Sequence, residues 1–190
     1  VYTSAINNTS TITLEDAIFE NITSSSTLVD NKGTITNLTS DFISNIVNLS
    51  NRSEFFGGGL IGNYSSENSS SIGNITGDFI SNNVTVNVNS SVYGGGLIGA
   101  SYSSSIGNIT GDFISNSVTI SNSDNEIAYM RGGGLIGASY SSSIGDITGD
   151  FILNTVTIDD NGIDGGGLIA AIGSSSIGDI TGDFISNSIT

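Results

Sequence analysis

From residue 109 to residue 120 the chain reads Ile-Thr-Gly-Asp-Phe-Ile-Ser-Asn-Ser-Val-Thr-Ile, and within it apolar and polar positions alternate in steps of two. In an extended chain Ile109, Gly111 and Phe113 fall on one side while Thr110 and Asp112 fall on the other; Val118 and Ile120 flank an outward Thr119. This is a strand pattern. The Gly, Ser, Thr, Asn and Val that fill it are poor helix formers, and one short helical cap is expected, near Leu14 to Asn21.

The pattern repeats along the chain. Asp-Phe-Ile-x-Asn recurs at Asp41 to Asn45, Asp78 to Asn82, Asp112 to Asn116, Asp150 to Asn154 and Asp183 to Asn187. Such a spacing, a few tens of residues and nearly constant, is that of a repeat architecture. Gly-Gly-Gly-Leu-Ile recurs from Gly57, Gly94, Gly132 and Gly165. Length varies mainly before each glycine triplet, in stretches ending at Phe56, Tyr93, Arg131 and Asp164, which read as loops on one face. A unit of this kind cannot bury its own apolar face, so copies must stack. Propeller blades run to about 40 to 45 residues, longer than these units. The fold expected is an all-β parallel β-helix, or β-solenoid, forming one continuous domain: residues 1–33 supply atypical first coils and 34–190 the repeated units. If each unit makes two coils, the total is about ten coils and the body is about 50 Å long.

Stacking places identical residues above one another. Phe42, Phe79, Phe113, Phe151 and Phe184 are expected to form an inner column, and Asn45, Asn82, Asn116, Asn154 and Asn187 an amide ladder at a turn. The glycine triplets fit a corner where backbones approach closely or φ is positive.

The pairing of Phe-Ile-Ser-Asn with Gly-Gly-Gly-Leu-Ile resembles the F-x-x-N and G-G-A-I repeats of chlamydial polymorphic membrane proteins, autotransporter passengers and methanogen adhesin-like proteins. The resemblance runs from Thr34 to Thr190 and implies a right-handed parallel β-helix, exposed on a cell surface and serving adhesion. This chain departs from those repeats in carrying Gly59, Gly96, Gly134 and Gly167 where they usually have Ala.

Charge narrows the partners. Eighteen acidic residues face only Lys32, Arg52 and Arg131, for a net charge of −15, so nucleic acid and anionic membranes are repelled. No apolar run is long enough to span a bilayer, so no membrane insertion is expected. Only 11% of residues are charged; the polar surface is Ser, Thr and Asn, as in secreted repeat proteins, and an extracellular or cell-surface location is expected. Twelve Asn-x-Ser/Thr sequons occur, all at or before Asn108; Asn37, Asn74 and Asn108 recur within the units and are candidate glycosylation sites.

Catalytic chemistry has few candidates. With no His and no Cys, nucleophilic triads and thiolate metal sites are excluded, and Lys32 lies in a turn-like Asp-Asn-Lys-Gly context. A carbohydrate-active β-helix enzyme, lyase or glycosidase in type, is the alternative reading, and it needs Arg52, Arg131 and the carboxylates of Asp159, Asp160 and Asp164 to converge. The column of Asp41, Asp78, Asp112, Asp150 and Asp183 invites Ca²⁺. With equivalent coils two apart, its carboxylates lie about 9.5 Å from one another, too far to share an ion, and no cofactor is assigned. Tyr64, Tyr102 and Tyr140, with Ile172 taken as their counterpart in the last unit, read as an apolar packing column rather than a sugar-stacking platform. The expectation is therefore a non-enzymatic, adhesive stalk or fibre subunit without catalytic residues, contacting a host or cell-surface carbohydrate or protein. Neither terminal segment carries the Lys or Pro that usually blunts a strand edge, which suggests head-to-tail self-association or excision from a longer helix.

Overall fold

The structure is a computed structural model, and it describes residues 5–50, 55–63, 70–88, 92–122, 130–159 and 163–190. Every element among them is a strand, and all the strand pairs are parallel. The chain is a β-solenoid of about four turns of the repeated unit, preceded by a shorter first coil.

Register decides how a unit maps onto a coil. Phe79 pairs directly with Phe42 on one side and Phe113 on the other, so each repeated unit is one turn of the coil, not two. The expected ten coils therefore reduce by about half. Two of the sheets are six strands deep, which spans about 24 Å from first to last strand at the usual inter-strand spacing.

One turn visits four sheets. In the turn beginning at residue 130, Met130–Gly133 lies in a four-stranded sheet and Ile136–Tyr140 in a six-stranded one. Ser143–Ile144, Ile147–Thr148 and Phe151–Ile152 then follow the long thirteen-stranded sheet, and Thr155–Asp159 closes the turn in a second six-stranded sheet. Register survives unequal connections. Asn122 pairs with Val88 and Met130 with Val92, although residues 123–129 separate one pair member from the next and only 89–91 the other. The variable stretches predicted as loops fall largely outside the described residues.

The period-two pattern becomes the core. Ile72, Ile106 and Ile144 pair in one buried column, Ile75, Ile109 and Ile147 in a second, and Val84, Val118 and Val156 in a third. Each buried side chain leaves water and also meets its own kind one strand away, so the hydrophobic gain and the packing contacts repeat on every turn.

Two expectations are corrected locally. Leu14 to Asn21 is no helix: Thr11–Glu20 is a strand paired with Thr34–Ile43, with register shifts on both sides of Leu14. Pairing along a preformed edge outweighs the helical tendency of a few Leu, Glu and Ala residues. The positive φ expected of the glycine triplets belongs instead to Gly77, Gly111, Gly149 and Gly182, in the Thr-Gly-Asp phrase, with values from 142 to 148°. A triplet glycine serves close approach: a Cβ on Gly132 would lie 2.8 Å from Ile120 Cδ1 and 3.1 Å from Ile158 Cδ1.

Candidate functional site

The Phe-Ile-x-Asn phrase makes a corner in which each residue has a separate task. Phe points inward, and Phe19, Phe42, Phe79, Phe113, Phe151 and Phe184 form one continuous stack with centroids 4.6 to 5.3 Å apart. The next-but-one residue turns the chain through the left-handed region: Ser44, Ser81, Ser115, Leu153 and Ser186 have φ between 52 and 56°. That reversal swings the following Asn inward.

The Asn residues then form a buried ladder. Asn116 donates its Nδ2 to Phe79 O at 2.7 Å and to Asn154 Oδ1 at 3.0 Å, while its Oδ1 accepts from both N–H and Nδ2 of Asn82 at 3.0 Å. The same set recurs at Asn82 and Asn154, and the ladder begins where Asn45 Oδ1 accepts from the Ile22 N–H. The buried amides of this ladder are thus paired on every turn, as their low-dielectric setting requires.

A second buried ladder lies outside the repeated phrases. Asn8 donates to Asn31 Oδ1 at 2.8 Å and Asn31 to Asn63 Oδ1 at 2.9 Å, after which Ser101 and Ser139 occupy the same column. A Ser side chain is too short to continue the chain of amides. Asn63 Nδ2 and Ser139 Oγ are buried without a partner. The spacing from Asn8 to Asn31 to Asn63, with a bulge before Ser101, hides this column from a search at a fixed period.

The recurring Asp residues face outward on adjacent turns, one strand spacing apart, so the wider separation expected from two coils per unit does not hold. Each instead accepts a backbone hydrogen bond from its successor: the N–H groups of Asp78, Asp112, Asp150 and Asp183 donate to Oδ1 of Asp41, Asp78, Asp112 and Asp150 at 2.9 to 3.1 Å. Asn74, Asn108, Asp146 and Asp179 form a matching exposed ladder at 3.0 Å. Asn or Asp serves equally there, because the bond needs only the side-chain oxygen. The candidate glycosylation residues Asn37, Asn74 and Asn108 are exposed on this face, Asn37 in register with Asn74. Among the described residues no group of three or more His, Cys, Asp or Glu is arranged to hold a metal ion.

Tyr102 and Tyr140 stack with centroids 5.1 Å apart and planes 25° from parallel, both half-buried; Tyr64 lies outside the described residues. Their counterpart in the last unit is Gly173, not Ile172, which aligns with Ser139. The Tyr140 ring lies over Gly173, where an added Cβ would come 2.6 Å from Cε1. Beside the tyrosines runs a groove of 810 Å³ lined by Ser70–71, Ser103–105, Ser141–143 and Ser174–176. Its middle serines turn back on the backbone: Ser142 Oγ donates to Tyr140 O at 2.8 Å and Ser175 Oγ to Gly173 O at 3.1 Å.

The residues needed for carbohydrate chemistry are only partly placed. Arg52 and Asp160 lie outside the described residues, and Asp159 pairs with Ser121. Arg131 and Asp164 are direct register partners on neighbouring turns, closer than their separation in the chain suggests. Lys32 is paired with Asp30 at 2.9 Å. No helix among the described residues is long and apolar enough to cross a membrane. No family model, curated protein or solved structure matches the chain.

Proposed function

We propose that the chain is a non-enzymatic, extracellular β-solenoid acting as a cell-surface stalk or fibre subunit, extended along its axis by coil-on-coil stacking, with the connections of varying length supplying adhesive contacts. The observation that carries this reading is the occupation of the repeated polar residues. The Asn ladder and both carboxylate and amide ladders hydrogen-bond one turn to the next, so the recurrent residues hold a rod together. The resemblance of the Phe-Ile-x-Asn and glycine phrases to adhesin repeats points the same way.

The register pairing of Arg131 with Asp164 favours one second reading, a site acting on polysaccharide. Negative-stain microscopy of the purified chain, with adhesion to cells and glycan surfaces, tests the first: rods that adhere through the varying connections support it. Release of reducing ends from a polysaccharide, abolished by Arg131→Ala or Asp164→Asn with the fold intact, overturns it.

A further inference from the structure

The repeat is broken at one place on the flank of the solenoid. Leu14 pairs with Leu38 and Ala17 with Ser40, so the first coil takes three steps where the second takes two. The extra residue makes a bulge, a device that re-aims side chains, and Asp16 within it has φ 53°. Two departures from the repeated phrase accompany the bulge. Ile18 pairs with Asp41, so an apolar residue occupies the column that is Asp on every later turn. Ser40 precedes Asp41 where the later turns have Gly77, Gly111, Gly149 and Gly182. Ser40 is only 3% exposed, and its hydroxyl is buried without a partner.

These residues line one pocket of 350 Å³ whose walls come from three successive coils: Asp16 to Ile18, Thr39 to Asp41, and Thr76 with Gly77. It is therefore a lateral feature, built across coils. Asp41 Oδ1 accepts the Asp78 N–H at 2.9 Å, which leaves its second oxygen for another donor. Asp16 brings a second carboxylate, Ser40 a hydroxyl in need of a partner, and Ala17 and Ile18 an apolar wall. Two carboxylates repel an anion. A bare metal ion gains nothing from Ala17 and Ile18, and among the described residues no third acidic or metal-ligating side chain joins the pair.

A primary alkylammonium suits both halves of the pocket, since it carries three N–H donors and no acceptor on a methylene stem that covers apolar surface. The chain's single lysine, Lys32, is held by Asp30 at 2.9 Å, so the ammonium comes from another molecule. A net charge of −15 draws such a cationic partner towards this surface. We propose that the pocket between Asp16 and Asp41 receives a lysine side chain of a basic partner protein. The ammonium donates to the carboxylates of Asp16 and Asp41 and to Ser40 Oγ, while its methylenes lie on Ala17 and Ile18. This goes beyond the stalk reading, because the contact is made by the coils themselves and not by the connections of varying length.

Amide NMR spectra of the full chain test it, titrated in turn with n-butylammonium chloride, a capped Gly-Lys-Gly peptide, calcium chloride and potassium chloride at matched ionic strength. The amine and the peptide are expected to shift the signals of Ser40, Asp41 and Gly77 to saturation, potassium chloride is not, and acetylating the peptide's lysine is expected to abolish the shift. Asp16→Asn and Ser40→Ala are each expected to weaken peptide binding about fivefold or more, with the Phe113 signal unmoved as evidence of folding. No saturable shift, or variants that bind as well as the parent chain, overturns the proposal. Binding of n-butylammonium but not of the peptide overturns the partner protein as the source of the amine. Saturation of the same signals by calcium chloride at a lower concentration than by the amine overturns the ligand class.

Discussion

The rings of Phe113 and Phe151, one repeat apart in the chain, are parallel, with an interplanar angle of 0° and centroids 4.8 Å apart. That distance is the spacing of paired strands, so the ring stack and the backbone ladder share one period. Phe113→Ala removes a buried ring flanked by Phe79 and Phe151 and is expected to cost about 3 to 5 kcal/mol in chemical denaturation. Phe184→Ala, at the exposed end of the same stack, should cost less than half as much. Equal losses at the two positions would refute a column whose value comes from burial.

Asn116→Ala deletes four hydrogen bonds at once and leaves Phe79 O and the Asn82 amide unpaired in the interior. A destabilisation of about 3 kcal/mol or more is expected, with faster amide exchange at Asn82 than at residues of the first coil. Uniform acceleration along the whole chain would instead mean that the ladder acts through global stability.

Asp150 accepts the Asp183 N–H and lies between two like charges one strand away. Asp150→Asn keeps the accepting oxygen and removes the repulsion, so stability should rise by about 0.5 to 1 kcal/mol at low salt and by less at high salt. Asp150→Ala loses the acceptor and should destabilise by about 1 kcal/mol. Melting at several salt concentrations separates the two effects; an Asn variant no better than Ala would remove the role of the oxygen.

Leu153 holds φ 56° at a corner where the other repeated units carry Ser and the first coil carries Asn21, and 55% of its surface is exposed. Asn tolerates the left-handed region better than a γ-branched apolar residue, and little burial is lost. Leu153→Asn should therefore raise stability by about 0.5 to 1 kcal/mol, measured by equilibrium unfolding. A loss of that size would show that the Leu153 side chain packs on its neighbours.

The strand alternation, the stacking of units, the Phe column and the Asn of the Phe-Ile-x-Asn corner were readable in the chain itself. Each depends on a local period of two and on identical phrases at a longer period, and identical residues stack because parallel in-register pairing puts them there. The number of coils was not readable, since a unit of this length divides as easily into two small turns as into one large one. Only the direct pairing of Phe79 with Phe113 decides between them. Tertiary pairing likewise made a strand of Thr11–Glu20 and aligned Asn8, Asn31 and Asn63 despite unequal spacing. It also gave the outward Asp residues a structural task, because a carboxylate can cap the next strand's N–H only when that strand lies directly above it. Local pattern determined which face of each strand turns inward; the closure of the coil determined which residues meet across it, through contacts between turns that no single repeat contains.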